Sequence, residues 1–439
     1  MYRKIVFYVI GCYIILSAGY VFANSLTDIE QAKTVIKAYV TAGKNAEATD
    51  AYQKLITDFA DSKSVSSAAY DIAEFYRDSR KYSESIGVYK DVIDKWPTSR
   101  QAVFAQKGVV VSNIALGKMA DAQAELDNLK KNYSADPNIA EAVFNVADSY
   151  YWFNKFNEAE GVYKYVLANY PKSDFAIWSQ MGLAILNIAK NDDKAADVYT
   201  KTLINNFSDN PKLPEALLYI ASRYDWDKKT ENAKQVYEYV SNNYAKSTQA
   251  RTARLNILRI NTISLIDNES DSNVISSVNL LINEFRDNPD LYDAVFKIGD
   301  AYFDKGRSRL NSEDIAGGKE ILGKAINVYD KVLSELPYSK VYTWKAYGFI
   351  GFCYYQQGSY QKAIRYLEKI PNDSLGYDNE KMWQVNLNLA QSYDQLSKSG
   401  EIGHEVAAQK INQYGNIVLK SSSNPLIIKT IRDIIEQYK

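Results

Sequence analysis

Few side chains in this sequence could support acid–base, nucleophilic or metal chemistry. The 439 residues include one histidine, His404, and two cysteines, Cys12 and Cys353. A structural zinc site takes four Cys or His ligands, which one copy of the chain does not supply. Ser–His or Cys–His catalysis would have to use His404, which falls in the polar stretch Gly403-His404-Glu405. We therefore predict no enzymatic activity, no metal site and no cofactor.

The charge balance narrows the range of partners. Lys and Arg total 52 against 53 Asp and Glu, and the pI is about 6.1. The chain as a whole thus lacks the positive surplus of proteins that bind nucleic acid or an anionic membrane surface. A hydrophobic fraction of 46% with only nine prolines favours a folded, helical protein.

Aromatic residues recur at a fixed interval of 37 residues through the first half of the chain. They are Phe59, Trp96, Tyr133, Tyr170, Phe207 and Tyr244. Small residues keep the same interval at Ala73, Val110, Ala147, Ala184 and Ala221. A period between about 20 and 50 residues is typical of a solenoid. Since a solenoid presents a long surface, we expect it to hold other molecules.

Each period is predicted to form two helices. In residues 66–97, Ala69, Ile72 and Tyr76 recur at helical spacing, a polar turn follows, and a second apolar helical face leads to Trp96-Pro97. Proline cannot continue a helix and restricts the residue before it, so the second helix should end there. The pattern predicts an all-α chain of antiparallel helix pairs.

Residues 347–370 resemble the tetratricopeptide repeat. The matching residues are Tyr347, Ile350, Gly351, Tyr354, Gly358, Tyr360, Ala363, Leu367 and Ile370. Residues 147–171 and 73–97 fit the same spacing. The resemblance implies a right-handed superhelical solenoid in which the first helix of each pair lines a concave groove. It also implies a non-catalytic scaffold for protein–protein interaction.

The links between repeats point to a narrower group. The interval is 37 residues instead of the usual 34, and the links read Trp96-Pro97-Thr98-Ser99 and Tyr170-Pro171-Lys172-Ser173. They look like those of two bacterial envelope families, the Tol-Pal-associated periplasmic coordinator and the outer-membrane assembly lipoprotein with repeats. This resemblance implies a role in envelope assembly, division or secretion.

The repeats are predicted to fall into two groups. Residues 28–246 should hold six regular repeats, residues 247–423 four irregular ones, and residues 424–439 a capping helix. An insertion near residues 305–318 interrupts the second group. It could be an extended turn or a lengthened helix pair, or it could be a docking loop. It lacks the Walker spacing of a phosphate-binding loop.

The amino terminus predicts export. An uncharged stretch from Ile5 to Phe22 follows a short basic start, which fits a signal peptide of residues 1–23 cleaved between Ala23 and Asn24. An uncleaved membrane anchor and a lipoprotein signal at Cys12 are the alternatives. All three place the repeats outside the inner membrane, in the periplasm or at the outer-membrane periphery of a bacterium.

The predicted groove is aromatic. By repeat phase, the groove side should carry Tyr151, Trp152, Asp225, Trp226, Phe303, Asp304, Phe352 and Tyr355. Such aromatic residues can anchor peptides, although Trp152 and Trp226 could instead pack on the next repeat. The predicted partners are envelope proteins or peptides. The alternative is a polysaccharide- or peptidoglycan-binding adaptor of a polymer export system, since Tyr and Trp can stack on sugar rings.

One class of ligand is not expected. Repeat proteins that bind acidic chaperone tails hold the terminal carboxylate with a paired Lys and Asn in the groove. The first repeat offers Lys33 and Lys37 at those positions, and the third offers Lys107 with Val111. Because the paired arrangement is missing, recognition of such a tail is not predicted.

Overall fold

The computed structural model describes residues 26–267, 271–371 and 379–438. The predicted leader, with Cys12, Ala23 and Asn24, lies outside these residues. The chain divides into two compact units, the first ending at Asp227 and the second beginning at Lys228. Among the described residues, the helices are too short or too polar to cross a membrane.

Helices make up both units within the described ranges. The first unit contains α1 (Leu26–Thr41), α2 (Asn45–Asp58), α3 (Val65–Asp78), α4 (Tyr82–Lys95), α5 (Arg100–Ala115), α6 (Met119–Asn132), α7 (Ile139–Trp152), α8 (Phe156–Asn169), α9 (Asp174–Ala189), α10 (Asp193–Asn206) and α11 (Leu213–Trp226). The second contains α12 (Thr230–Asn243), α13 (Thr248–Asp267), α14 (Asp271–Glu284), α15 (Leu291–Asn311), α16 (Ile315–Ser334), α17 (Lys340–Gln356), α18 (Tyr360–Leu367), α19 (Asn379–Lys398), α20 (His404–Ser421) and α21 (Pro425–Glu436). The predicted all-α helical-repeat solenoid is confirmed.

The periodic aromatics end the second helix of a repeat. Trp96, Tyr133 and Tyr170 each follow the last residue of α4, α6 and α8, and each backbone N–H donates to the carbonyl four residues earlier. Their rings are half-buried against the cores of the first unit. These aromatics therefore close one helix pair where the chain leaves it for the next.

The small residues of the period lie where helices approach most closely. Ala73, Ala147 and Ala221 on first helices are fully buried, and so are Ala122 and Ala159 on second helices. A short side chain lets two helices come close while larger neighbours interdigitate around the contact. The interval in the sequence thus reproduces one packing unit along the stack.

The insertion in the second unit is helical. Residues 305–311 continue α15, and residues 315–318 begin α16, so both helices are longer than in the regular repeats. Gly306 and Gly318 meet inside this pair, because a Cβ on either glycine would press on the carbonyl oxygen of the other. The insertion thus takes the form of a lengthened helix pair and not of a loop.

The last repeats of the second unit are held by one carboxylate. Glu368, just after the short helix α18, accepts hydrogen bonds from the Tyr393 and Tyr414 hydroxyls at 2.8 Å and from the Lys410 ammonium at 3.1 Å. Although burial acts the other way, these donors lower the pKa of Glu368. The carboxylate thereby ties α18 to α19 and α20.

Candidate binding surface

The eight predicted groove residues divide between the two units. Tyr151, Trp152, Asp225 and Trp226 lie in the last turns of α7 and α11 in the first unit. Phe303, Asp304, Phe352 and Tyr355 lie in α15 and α17 in the second. We describe the two sets separately.

The two tryptophans of the first unit are open to solvent. Trp152 is 76% exposed and Trp226 is 79% exposed, so the alternative in which they pack on the next repeat is wrong. Each is the final residue of a first helix, and the equivalent residue of the repeat between them is Ala189 at the end of α9. A small residue thus separates two exposed indole rings at equivalent positions.

Tyr151 and Arg223 connect these two helix ends. An Arg223 guanidinium nitrogen donates to the Tyr151 hydroxyl at 2.5 Å, and its Nε donates to Asp227 at 3.0 Å. The Tyr151 ring also meets Trp152 edge-on, with 5.5 Å between centroids. Burial raises the pKa of Tyr151, and Arg223 opposes that rise. Because α7 and α11 belong to repeats separated by α9, this contact shows that their ends converge on one side.

Further apolar side chains lie on this side of the first helices. We call the exposed side of α7, α9 and α11 the aromatic face. It comprises Phe144, Tyr151, Trp152, Trp178, Met181, Ile185, Tyr219 and Trp226. Trp178 and Tyr219 pack edge to face with centroids 6.1 Å apart, and Tyr219 is 52% exposed. Three consecutive first helices therefore each offer partly exposed apolar side chains.

The predicted groove residues of the second unit have other neighbours. Phe352 is buried at 8% exposure and meets Phe349 edge-on, so its prediction as a groove residue is wrong. Phe303 is half-buried against the same Phe349 ring. The Tyr355 hydroxyl donates to Gln391 at 3.0 Å, whereas Asp304 is exposed.

Aromatic side chains of this region stack on one another. Phe349 stacks on Tyr329 with centroids 5.0 Å apart, and Tyr292 stacks on Tyr342 at 4.4 Å. The Lys345 ammonium lies 4.3 Å from the Phe296 ring centroid. Since rings and a cation here already serve as partners for each other, this region offers less free aromatic surface than the aromatic face.

Charged side chains occupy the earlier first helices of the first unit. We call the corresponding side of α1, α3 and α5, which carries Lys33, Asp71, Glu74, Arg77 and Lys107, the charged face. Lys33 is 8% exposed and donates to Asp71 at 2.6 Å and to Glu30 at 2.9 Å. Lys107 is 7% exposed and lies 3.7 Å from Glu74. Burial lowers the pKa of Lys107, and Glu74 opposes that fall. Lys33 and Lys107 lie at positions where tail-binding repeat proteins hold a terminal carboxylate. Both are thus already paired with carboxylates of this chain.

Each of the two faces contains a buried tyrosine that donates a hydrogen bond to a carboxylate. Tyr89 on α4 donates its hydroxyl proton to Glu74 on α3, and Tyr163 on α8 donates to Asp148 on α7 at 2.5 Å. Both tyrosines are almost fully buried, and their rings cover Gly108 and Gly182 of the following first helix. Each member of one pair is two repeats from its counterpart, so the sites are equivalent.

The surroundings of the two carboxylates differ. Glu74 is ion-paired with Arg77 at 2.7 Å and with Lys107 at 3.7 Å. The positions equivalent to these two cations carry Tyr151 and Met181. Within the described residues, Asp148 has no ion pair, and burial raises the pKa of its carboxyl to about 6 against the effect of the Tyr163 hydrogen bond.

His404 and Cys353, the two residues that could carry nucleophilic or acid–base chemistry, belong to the second unit. His404 begins α20, is exposed and stacks on Tyr438 with centroids 4.9 Å apart. Cys353 is buried in α17, and burial raises the pKa of its thiol, which disfavours the reactive thiolate. Across the part of the chain that the structure describes, three or more His, Cys, Asp or Glu side chains nowhere converge as a metal site would require.

Comparison with known proteins identifies the repeat. One tetratricopeptide-repeat family model matches residues 36–100, and a second matches residues 141–173 and 350–373. Over these residues the chain resembles the tetratricopeptide repeat. The resemblance seen in the sequence is confirmed at this level, while the narrower likeness to two envelope families stays a prediction. No curated protein matches the sequence.

Solved structures of repeat proteins are similar to parts of the chain. A tetratricopeptide repeat protein from Parabacteroides merdae has 19% identity and a TM-score of 0.36, covering 65% of this chain and 97% of that one. The type IV pilus biogenesis factor PilW has 16% identity and a TM-score of 0.30, covering 52% and 99%. The Naa15/Naa10 complex bound to HypK has a matching chain with 15% identity and a TM-score of 0.31, covering 92% of this chain and 60% of that one.

Three residues of the tetratricopeptide stack escaped the sequence-based selection. The aromatic pattern of the groove side does not predict Asp148, Met181 or Arg223. A usable signal exists for the first two, since aligning repeats two periods apart places Asp148 opposite Glu74 and Met181 opposite Lys107. Arg223 gives no comparable signal, because its contact with Tyr151 depends on the convergence of α7 and α11.

Proposed function

We propose that this chain is a non-catalytic tetratricopeptide-repeat scaffold whose aromatic face holds a protein partner. The exposure of Trp152 and Trp226 is the observation that carries the proposal. Tryptophan, tyrosine and arginine are the residue types that most often dominate binding energy in protein interfaces. All three occur together here, since Arg223 fixes Tyr151 between the two helix ends. Large exposed apolar patches on soluble proteins are commonly interaction sites.

We further propose that the scaffold acts in the envelope of a bacterium, in assembly, division or secretion. The uncharged stretch before Ala23 supports export, and the inter-repeat links support a likeness to envelope repeat proteins. Mass spectrometry of the mature amino-terminal peptide tests the export step. A peptide that begins at Asn24 supports cleavage, whereas an intact leader or a lipid-modified Cys12 would replace it with the anchored or lipoprotein alternative.

Affinity capture from the native envelope tests the binding surface. Three forms should be compared, namely wild type, a Trp152→Ala/Trp226→Ala double variant, and a Tyr338→Ala control. Tyr338 is a suitable control because it is 78% exposed and belongs to the second unit. We expect a reproducible protein partner that wild type and the control retain and that the double variant loses. Equal recovery of the partner by all three forms would show that the aromatic face is not the binding surface.

A glycan ligand is the second candidate, because two open indole rings could also stack on sugars. Fluorescence titration with soluble envelope glycans distinguishes the two classes. A saturable shift in tryptophan emission that the double variant loses favours a glycan-binding adaptor. A flat titration together with a captured protein partner favours the protein scaffold.

A further inference from the structure

The Asp148 carboxylate lies in a setting that favours an added cation. Its counterpart Glu74 has the same tyrosine donor and also two basic side chains. Asp148 keeps the tyrosine but has Tyr151 and Met181 where those basic side chains would be. A partly buried carboxylate without an opposite charge is costly, and a cation within hydrogen-bond reach compensates it.

Acidic side chains also outnumber basic ones on the helices that form the aromatic face. Helices α7, α9 and α11 carry no lysine, and their single arginine, Arg223, is already held by Asp227 and Tyr151. Their carboxylates are Glu141, Asp148, Asp174, Glu215 and Asp225, of which Asp174 is ion-paired with Lys212 at 3.1 Å. Helices α1, α3 and α5 carry five acidic side chains as well, but five basic ones balance them. The surplus of acidic over basic side chains on α7, α9 and α11 therefore favours a positively charged ligand.

We propose that Asp148 accepts a lysine or arginine side chain of the bound protein, so that the aromatic face selects segments presenting a cation next to apolar side chains. The inference rests on the proposed function, in which this face binds a protein. Tyr151 and Met181 occupy the repeat positions of Arg77 and Lys107, so the incoming cation takes the place that the chain's own cations take beside Glu74 two repeats earlier.

Selection of peptides from a random display library tests this specificity. The full-length protein, Asp148→Asn and Met181→Lys serve as three separate targets, with Trp152→Ala/Trp226→Ala as a fourth. The amide oxygen introduced by Asp148→Asn can still accept the Tyr163 hydrogen bond, so this variant removes the charge with little change of shape. Met181→Lys supplies the cation found at the equivalent Lys107. Circular dichroism melts establish that each variant folds before it is used.

The expected result separates the two proposals. Wild type should enrich peptides that combine apolar residues with Lys or Arg, and both charge variants should lose the basic preference while still enriching apolar peptides. Enriched peptides without basic residues, or an unchanged basic preference in Asp148→Asn, would overturn the role of Asp148 and leave the binding surface standing. No enrichment above the double-tryptophan variant would overturn the proposed function, and this inference with it.

A titration of the most enriched basic peptide gives a second measurement. Replacing Asp148 by Asn should weaken binding roughly 10- to 100-fold, as expected for loss of a charge-assisted hydrogen bond. Wild-type affinity should also fall as the solution is acidified below about pH 6, since the carboxyl is then protonated. Glu141, Glu215 and Asp225 remain in Asp148→Asn, so a pH dependence equally steep in that variant would show that other carboxylates are responsible and would contradict the assignment.

Discussion

The charged face and the aromatic face of the first unit repeat one arrangement in two electrostatic settings. In each, a buried tyrosine donates to a carboxylate and covers a glycine of the next first helix. Arg77 and Lys107 neutralise Glu74, whereas Tyr151 and Met181 leave Asp148 without a cation. The comparison shows that the repeat keeps its packing while the groove side of the first helices changes from internally paired to open.

Among substitutions on the two faces, the largest loss of stability is expected on the charged face, where the charges are paired. Glu74→Gln keeps an acceptor for Tyr89 but leaves Lys107 buried without its opposite charge, and this should cost roughly 3 kcal/mol of unfolding free energy. Glu160→Gln is a matched control, because Glu160 and Glu74 are equally exposed at 24% but Lys164 and Lys190 are far more exposed than Lys107. The control should lose about 1 kcal/mol or less in urea unfolding. Equal losses would contradict the division between the faces.

The shared packing predicts equal losses at two glycines. A Cβ at Gly108 or Gly182 would overlap the ring of Tyr89 or Tyr163, so either alanine substitution should destabilise the chain by about 1–3 kcal/mol. Gly87 and Gly161 on the neighbouring second helices have open space around them and are also two repeats apart. Replacing either control glycine by alanine should instead raise the free energy of unfolding by as much as about 1 kcal/mol, because alanine is the better helix former. Markedly different losses at Gly108 and Gly182 in thermal melts would show that the two sites are not equivalent.

Much of this arrangement follows from the sequence, and some of it does not. The interval predicts the helix pairs and the aromatic residues that end them, because each repeat has to bury the same apolar positions. Whether Trp152 is covered or Phe352 is open depends on neighbouring side chains. Trp152 is 76% exposed, whereas Phe352 is buried and meets Phe349 edge-on. The insertion forms a lengthened helix pair in which Gly306 lies close to Gly318. The residue pattern of one regular repeat does not predict this contact.

At Asp148 we expect removal of the charge to stabilise the protein, which is the opposite of the effect expected at Glu74. The pKa of Asp148 rises from 3.8 to about 6 on folding, so its stabilising contribution is present at low pH and is lost as the pH rises through about 6. Asp148→Asn should therefore be more stable than wild type at neutral pH, by roughly 1–3 kcal/mol. The difference should disappear near pH 4, where the wild-type carboxyl is largely protonated. Parallel melts across this pH range check the prediction, and a destabilised variant at neutral pH would contradict it.

The smallest effect on stability is expected at the tryptophans, where we propose that the function lies. Their rings are more than three-quarters exposed, so the Trp152→Ala/Trp226→Ala variant should change the free energy of unfolding by only about 0.5 kcal/mol per site. Phe352→Ala, which empties a buried aromatic position, should cost about 3–5 kcal/mol in the same urea titration. If the double variant lost several kcal/mol, the indoles would be part of the folding core. Near-neutral stability would leave binding as the reason for two large apolar side chains to stand in solvent, since such exposure contributes nothing to the fold.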